Sequence, residues 1–299
     1  MSGIDLSFAG DVRIQTVQEL AWPGVALDFL LHQVPHAEFA QTRAYQDERF
    51  VDPDTRELRM SYHSTVLRTP HGNVLIDTCI GSDKHRPLIE RWHQQKFPYL
   101  ERLAALGLAP VDIDYVCCTH LHADHVGWNT RLENGQWVPT FPNARYLFAE
   151  PELRYWEQVR REDPAHIFSQ SWDDSVLPVI EAQQAEIVSP DHEIVAGVQL
   201  QPAFGHSPGN VVIDVRYGED HAVLSGDVMH HPVQIERPDW NSVFDQDRAQ
   251  AQATREALLK RVANGRTWLI AAHFAGPTAL TVTKDREHFK YHSALRTRS

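Results

Sequence analysis

The chain has 299 residues, 42% of them hydrophobic and 23% charged, which is an ordinary composition for a globular protein. Asp and Glu number 40 against 28 Lys and Arg, so the formal net charge is -12 at pH 7, and no block rich in Lys or Arg occurs. This balance argues against a nucleic-acid partner, because a phosphate backbone is bound by clustered basic side chains. The sequence also contains no run of about 18 apolar residues, which argues against a membrane partner.

Two features of the sequence bear on its compartment. Residues 1–6 lack a basic stretch followed by an apolar run, so we predict no export signal. The three cysteines, Cys79, Cys117 and Cys118, are odd in number and two are adjacent, which favours buried thiols over a disulfide framework. Both features predict a cytoplasmic protein, since thiols stay reduced there.

The N-terminal part of the chain contains one clear hairpin signal. Residues 1–50 mix turn and apolar signals, and we treat them as an extension that covers a functional site, lines a dimer interface or completes a sheet. The runs 60–67 and 74–77 flank the turn-prone segment 70–73, which predicts a β-hairpin. The second strand of this hairpin would place Asp77 at its end.

The central region alternates predicted helices and strands. Apolar residues recur at helical spacing over 86–106 and Pro98 interrupts them, so we predict two helices joined at the proline. The run 113–118 is mostly apolar and rich in β-branched residues, which is typical of a buried strand. Further elements predicted here are a hairpin at Asn134-Gly135, a strand over 145–149 and a helix over 152–161.

The second half of the chain continues in the same mixed order, although residues 162–185 indicate no particular element. We predict strands near 193–203, 210–216 and 221–225, a long helix over 245–263 and a strand over 268–271. No repeat or linker interrupts this order, so residues 1–299 are expected to form a single domain. The expected fold class is α+β, with two sheets packed face to face and helices outside them.

A cluster of ligand-type side chains directly follows the predicted strand 113–118. His120, His122, Asp124 and His125 form the pattern H-x-H-x-D-H on a turn that leads into the next helix. Imidazole and carboxylate groups are ligands of zinc, iron and manganese, whereas three cysteines cannot build a tetrathiolate site. The pattern therefore predicts a metal site, and surface histidines in a loop are the alternative.

One short loop cannot complete two metal sites, so a dinuclear centre needs further ligands from distant strand ends. His206 follows the apolar run 198–204, Asp227 follows 222–224, and His273 follows 268–270. Each of these alone is more typical of a cap or a satisfied polar group. Their joint occurrence after strands favours ligands.

Together these segments resemble the metallo-β-lactamase superfamily, whose four-layer αββα sandwich carries a dinuclear metal site at one edge of its two sheets. The similarity runs from about residue 61 to residue 273 and includes 75–78, the H-x-H-x-D-H loop, 205–209, 225–227 and the late histidine. The resemblance implies that one metal ion is held by His120, His122 and His206, that a second is held by Asp124, His125 and His273, and that Asp227 bridges them. It also implies that Asp77 orients ligands without binding metal.

The resemblance further implies a cofactor and a mechanism. All seven ligand positions carry His or Asp, which favours two divalent ions over one; zinc is expected, while iron, manganese and cobalt stay open. Two adjacent ions lower the pKa of a shared water, so a bridging hydroxide would attack the substrate. Asp124, Asp227 or a metal-bound water would then pass a proton to the leaving group.

The phrases around the ligands suggest a substrate class. Residues 77–81, 125–129 and 226–232 look most like the branch of acyl-homoserine-lactone lactonases and methyl-parathion-hydrolase type enzymes. We therefore predict a metal-dependent hydrolase of a small ester or lactone, with an organophosphate triester or aryl substrate as the alternative on the same site. A β-lactamase fits less well because no export signal is seen, and a non-catalytic metal-binding module is the alternative from another class. The oligomeric state stays open, a homodimer included.

Several residues near the ligands depart from the commonest pattern of the family. Trp128 and Asn210 stand where many relatives have Gly and His. No tyrosine closely follows Asp227, where some lactone-cleaving relatives use one, and this weakens the support for a lactone substrate. Trp128 would form a substrate wall or cap the core, while His230 and His231 would stabilise an oxyanion or face solvent. The aromatic residues available for an apolar pocket are Trp92, Phe97, Trp128, Trp156, Phe168, Trp172 and Trp240.

Overall fold

Strands make up most of the regular structure in the computed structural model, which describes residues 3–166, 168–276, 278–286 and 288–293. In the first half of the chain they are β1 Asp5–Phe8, β2 Val12–Val25, β3 Leu58–Thr69, β4 Gly72–Ile76, β5 Tyr115–Cys117, β6 Thr130–Glu133, β7 Gln136–Pro139 and β8 Arg145–Ala149. In the second half they are β9 Ala185–Val188, β10 Glu193–Val195, β11 Val198–Pro202, β12 Val211–Tyr217, β13 Asp220–Leu224, β14 Asn264–Ile270, β15 Ala279–Asp285 and β16 His288–His292.

The α-helices are mostly short. They are α1 Leu27–Leu30, α2 His36–Phe39, α3 Tyr99–Ala105, α4 Ala123–Val126, α5 Glu150–Glu162, α6 Ser169–Ser171, α7 Leu177–Glu181, α8 Val233–Glu236 and α9 Arg248–Val262. A π-helical turn, Trp172–Val176, joins α6 to α7, and 3₁₀ turns occur at Ala44–Gln46, Pro110–Asp112, Gly127–Asn129 and Gly226–Val228. Among the described residues, no helix combines the length and the apolar character that crossing a bilayer requires.

Two seven-stranded sheets form the centre of the molecule. The first has the order β1-β2-β3-β4-β5-β8-β9 and the second has the order β10-β11-β12-β13-β14-β15-β16. Pairing is parallel between β4, β5, β8 and β9 and between β13 and β14, and it is antiparallel elsewhere in the two sheets. The short strands β6 and β7 form a separate hairpin.

The two sheets pack face to face because alternate residues of both are apolar and point into one core. Ile14 and Val74 of the first sheet belong to the same buried cluster as Ile213 and Leu224 of the second. Helices cover the outer faces: α3 and α5 pack against the first sheet, and α9 packs against the second. This arrangement confirms the predicted α+β fold class and the four-layer αββα sandwich.

The elements predicted from periodicity agree with the structure in most places. The hairpin of β3 and β4, the hairpin at Asn134-Gly135, strand β8 and helices α5 and α9 all lie where they were expected. One predicted strand, 193–203, is divided into β10 and β11 at Gly197. This glycine has φ 83°, and a Cβ there would lie 2.6 Å from the carbonyl oxygen of Arg216.

The prediction of two helices over 86–106 is wrong, because only α3 forms there. Arg86 lies in a buried ion pair with Asp174, its two terminal nitrogens 2.7 and 2.9 Å from the carboxylate oxygens. Gln94 adopts φ 51°, a left-handed conformation that a helix excludes. Long-range contacts thus override helical periodicity in this segment.

The first and last parts of the chain extend the two sheets. β1 and β2 add to the first sheet, with β2 paired to β3 from Arg13↔Arg68 to Val25↔Leu58. Of the three roles considered for residues 1–50, completing a sheet is the one seen for these strands. β15 and β16, which the sequence analysis did not anticipate after His273, add to the second sheet.

Candidate metal centre

Five segments that follow strands meet at one edge of the sandwich. Asp77 follows β4, the H-x-H-x-D-H loop follows β5, and His206, Asp227 and His273 follow β11, β13 and β14. The carboxyl ends of parallel neighbours lie at the same edge of a sheet, so β4 with β5 and β13 with β14 deliver their loops together. The sandwich then places the loops of the two sheets against each other.

The structure brings together all seven residues predicted to bind metal. Ligand-type atoms of His120, His122 and His206 lie within 4.8 Å of one another, and so do those of Asp124, His125 and His273. These are the two triads that the resemblance implied. Apart from Asp124, which is partly exposed, all these residues are buried.

Asp227 lies between the two triads and directs one carboxylate oxygen at each. Its Oδ1 is 3.2 Å from His273 Nε2 and 3.3 Å from His125 Nε2. Its Oδ2 is 3.5 Å from His206 Nε2 and 3.8 Å from His120 Nε2. Asp227 therefore contacts histidines of both triads.

The hydrogen bonding of these residues fits a divalent cation. His120 Nε2, His125 Nε2 and Asp227 Oδ1 are buried and have no hydrogen-bond partner among the described residues. Buried polar atoms are usually paired, so three unpartnered lone-pair atoms in one cluster fit a bound cation. His122 Nδ1, which lies 3.0 Å from His206 Nε2, completes a set of imidazole and carboxylate donors suited to zinc, iron or manganese.

The electrostatics of the cluster separate its histidines into two kinds. Burial, together with neighbouring histidines, lowers the pKa of His120 and of His122 well below the usual range, so both rings are neutral and able to bind metal. Burial acts in the same direction on His125, but the charges of Asp227 and Asp77 outweigh it and raise the pKa of that ring. His125 thus differs from His120 and His122 because it lies between two carboxylates.

Asp77 contacts the H-x-H-x-D-H loop on the side of the His125 ring that faces away from Asp227. Its Oδ1 accepts the backbone N–H of Thr119 at 2.7 Å, and its Oδ2 lies 2.8 Å from His125 Nδ1. Since a carboxylate only accepts hydrogen bonds, Nδ1 carries the proton and leaves Nε2 free to face Asp227. This contact would orient the His125 ring, which is the role that the resemblance implied for Asp77.

Two further buried carboxylates were missed from the sequence. Glu152, near the start of α5, accepts the N–H of Leu121 at 3.0 Å and that of Gly209 at 2.8 Å, so it joins the two loops that carry four of the histidines. Asp245 Oδ1 lies 3.0 Å from His206 Nδ1. No local pattern distinguishes these acids from solvated ones, because their partners are distant in sequence.

His230 and His231 are both buried, so of the two alternatives considered for them, the one in which they face solvent is wrong. His230 Nε2 lies 3.1 Å from Asp227 Oδ2, and His230 lines the cavity beside the cluster. His231 points away from this site, with its Nε2 3.0 Å from the carbonyl oxygen of Phe50. Only His230 is therefore placed to act near the cluster.

Trp128 belongs to the core and not to a substrate wall. Its ring stacks on Tyr99 with centroids 5.3 Å apart, and its indole N–H donates to Glu19 at 2.5 Å. It is absent from the lining of the cavity beside the cluster. Of the seven aromatic residues proposed for a pocket, Trp92 and Phe168 line this cavity.

The cavity beside the cluster is small and mostly apolar. It has a volume of about 40 Å³, and its apolar lining comprises Phe29, Leu30, Met60, Tyr62, Ile89, Trp92, Phe168 and Phe244. Ile89, Trp92 and Phe168 also line an adjoining groove of about 210 Å³ that extends along Leu88. A larger cavity of about 740 Å³ lies elsewhere, between β1 and the start of β14, and touches none of the seven residues.

Known proteins share both the sequence pattern and the fold. The profile of the Metallo-beta-lactamase superfamily matches residues 59–273. An N-acyl homoserine lactonase of Bacillus cereus is 32% identical over 108 residues, which are 36% of this chain and 35% of that protein. An N-acyl homoserine lactonase of Bacillus thuringiensis is 29% identical over 170 residues, which are 53% of this chain and 60% of that protein. Each alignment thus spans less than two thirds of the relative.

Two solved structures have the same fold over nearly their whole length. AidC, a dizinc quorum-quenching lactonase in complex with a product, superposes with a TM-score of 0.80 at 18% identity and covers 98% of this chain and 97% of its own. AbOPH, a hydrolase in the beta lactamase superfamily, gives a TM-score of 0.79 at 20% identity with the same coverage. Because the family profile covers most of the chain and every residue of the two triads, the chain belongs to the metallo-β-lactamase superfamily, with N-acyl homoserine lactonases among its homologues.

Proposed function

We propose that this protein is a dinuclear metal-dependent hydrolase of a small lactone or ester. The observation that carries the proposal is the position of Asp227, whose two oxygens each face one triad of ligand-type side chains at 3.2 to 3.8 Å. A single ion would not require a carboxylate shared in this way. Zinc is the expected metal, and the donor set also accommodates iron, manganese or cobalt.

The proposed ligands follow from the two triads. His120, His122 and His206 would hold one ion, Asp124, His125 and His273 the other, and Asp227 would bridge them. Two divalent ions in these positions would lower the pKa of a bound water toward neutrality and polarise the substrate carbonyl, which supplies the nucleophile and part of the electrophilic assistance.

The side chains of the protein supply positioning and proton transfer. Asp124 and Asp227 both line the cavity, so either carboxylate would receive a proton from the attacking water and pass it to the leaving group. His230 lines the same cavity, 3.1 Å from Asp227, and would donate a hydrogen bond to the developing oxyanion. The apolar walls exclude bulk water and so strengthen these interactions.

The apolar groove supports a substrate with a hydrophobic substituent. Leu88, Ile89, Trp92 and Phe168 line it, and it adjoins the cavity that holds Asp124 and Asp227. An apolar chain in this groove would place the scissile carbonyl next to the cluster. Since homologues of this chain are N-acyl homoserine lactonases, a lactone bearing an apolar acyl group is the substrate class we favour.

Metal analysis combined with a substrate panel tests the proposal. We expect near two metal ions per chain and turnover of acyl lactones, with aryl acetates, phosphotriesters and β-lactams as comparison substrates. Asp227→Asn should abolish turnover, whereas Asp54→Asn, which changes an exposed carboxylate, should keep it. Fewer than one ion per chain after reconstitution would overturn the dinuclear centre. Two ions without turnover of any substrate would point to a non-catalytic metal-binding module, and phosphotriesters as the best substrates would change the assigned class.

A further inference from the structure

His206 is supported from behind by a buried ion pair that belongs to no metal-binding motif. Its Nδ1 lies 3.0 Å from Asp245 Oδ1, while its Nε2 faces Asp227. Asp245 Oδ2 lies 3.1 Å from a terminal nitrogen of Arg255, on helix α9. The side chains of Asp245 and Arg255 are fully inaccessible to solvent.

Both carboxylate oxygens of Asp245 are engaged in this arrangement. Beyond His206 and Arg255, its Oδ2 accepts the backbone N–H of Ser242 at 2.8 Å. Arg255 places the opposite charge beside this buried carboxylate. A carboxylate accepts from Nδ1 only if that atom carries the proton, and Nε2 of His206 therefore presents its lone pair to the cluster.

Arg255 also reaches the segment that carries the proposed bridging carboxylate. Its Nε donates to the carbonyl oxygen of Val228, the residue after Asp227, at 2.8 Å. A terminal nitrogen donates to the carbonyl oxygens of Pro238 and Trp240 at 2.8 and 3.2 Å. One guanidinium thus contacts both the support of His206 and the backbone beside Asp227.

The energetics of burial indicate why such a pair would be retained. Removing two charges from water costs several kcal/mol per ion, on the order of what their attraction returns, so a buried ion pair adds little to stability. A planar guanidinium does, however, fix the directions of several acceptors at once. The pair therefore contributes geometry more than stability.

We propose that Arg255 and Asp245 form a positioning pair that orients His206 toward its metal ion and holds the Asp227 segment at the distance needed for a shared carboxylate. The inference rests on the metal centre proposed above. It assigns helix α9, which contains none of the seven ligand-type residues, a direct role in metal affinity. Residues that hydrogen-bond the outer nitrogen of a metal-binding histidine typically change metal affinity by about 10- to 100-fold.

The test measures metal affinity, which a purely structural pair would not change. Dissociation constants for Zn²⁺ and Co²⁺ are determined by competition with a chelator on the full chain, and metal content is measured on the same samples. Asp245→Asn should weaken the binding of one ion by about 10- to 100-fold and leave the other within about twofold of wild type. Arg255→Lys keeps the charge but loses the planar guanidinium, which contacts both Asp245 and the carbonyl oxygen of Val228. It should therefore weaken the binding of the same ion and, through the shared Asp227, that of the other ion as well.

The pair Arg86 and Asp174 provides the matched control. It is also a buried Arg–Asp pair, with side chains 4% and 10% exposed, and within the described part of the chain neither side chain contacts any of the seven ligand-type residues. Asp174→Asn should lower the thermal midpoint yet leave both dissociation constants unchanged. If Asp245→Asn behaves in the same way while the wild type binds two ions, the positioning pair is overturned and the proposed function stands. A wild type that binds no metal would overturn both. Should Arg255→Lys fail to fold, the near-isosteric Asp245→Asn decides.

Discussion

His125 Nδ1 lies 2.8 Å from Asp77 Oδ2, while the opposite nitrogen of the same ring lies 3.3 Å from Asp227 Oδ1. One nitrogen of the His125 ring therefore contacts the carboxylate of Asp77, and the other faces Asp227 in the cluster of ligand-type residues. The same division is seen at His206, between Asp245 and Asp227. One histidine of each triad thus contacts a buried carboxylate; Asp77 follows β4 of the first sheet, whereas Asp245 lies in the loop before helix α9.

Replacement of Asp77 should weaken metal binding without unfolding the protein. Asp77→Asn retains the shape of the side chain but replaces one acceptor with an NH₂ group, which faces either Thr119 N–H or His125 Nδ1–H. We expect one dissociation constant to rise about 10- to 100-fold, measured by chelator competition. Asp114→Asn is the control, because Asp114 also accepts a backbone N–H, that of Asn73, but lies away from the cluster. Equal metal affinities in the two variants would contradict the orienting role of Asp77.

Glu152 should matter for stability, because it satisfies donors of two loops and of its own helix. Its Oε1 accepts from Leu121 N and Trp156 Nε1, and its Oε2 accepts from Ser207 Oγ and Gly209 N, all at 2.7 to 3.0 Å. Glu152→Gln leaves buried donors facing an NH₂ group and should lower the free energy of unfolding by about 2 kcal/mol in urea titrations.

Glu150→Gln, two residues earlier, is the matched control for Glu152. Glu150 forms an exposed pair with Arg154, and its loss should cost less than about 0.5 kcal/mol. A cost for Glu152→Gln as small as that of the control would show that the two loops are held together by other contacts.

Gly127 should tolerate no side chain, because the H-x-H-x-D-H loop packs its backbone directly on another loop. A Cβ at Gly127 would lie 1.9 Å from the carbonyl oxygen of Ile80 and 2.4 Å from Gly81 N. Gly127→Ala should therefore lower the free energy of unfolding by more than about 3 kcal/mol, since only backbone movement relieves the overlap. Gly135→Ala, at φ 80° but in open space, should cost about 1 kcal/mol from conformation alone. Comparable costs for the two variants would be inconsistent with this packing.

Glu19 should give the protein a characteristic pH dependence. Burial raises the pKa of Glu19 to about 7, against the hydrogen bonds from Ile80, Trp128 and Gly81 that favour its charged form. The folded state thus holds this proton more tightly than the unfolded state, so the stabilisation is complete below pH 4.5 and is lost as the pH rises toward 7.

A comparison with Glu19→Gln isolates this effect. The free energy of unfolding of the wild type, relative to the variant, should fall by up to about 3 kcal/mol between pH 4.5 and pH 8, at a constant metal concentration. Urea titrations across this range measure it, and Glu133→Gln, at an exposed position, serves as the control. A difference that stays constant with pH would mean that Glu19 is ionised throughout.

Local patterns were sufficient to identify several of the strands and the ligand-type residues. Alternation of apolar residues and turn signals predicted β3, β4 and β8, and His or Asp directly after strand ends predicted the residues of both triads. These features are local because a strand and the residue that follows it are contiguous in the chain. The pairing of β4 with β5 and of β13 with β14 then brings the loops together with little further information.

What the sequence determined by itself is the chemistry: a set of imidazoles and carboxylates on loops at one edge of two sheets. The tertiary structure alone decided how that set is held. Glu152 contacts the loops of Leu121 and Gly209, and Asp245 contacts His206; these partners lie 31 to 57 positions away in the chain. Arg255 contacts the carbonyl oxygen of Val228, the neighbour of Asp227. No periodicity or motif marks these three residues. The tertiary structure also decided that residues 86–98 do not form a helix and that Trp128 lies in the core. The physical reason is the same in each case: burial gives a polar or aromatic side chain its role, and burial depends on which distant segments pack around it.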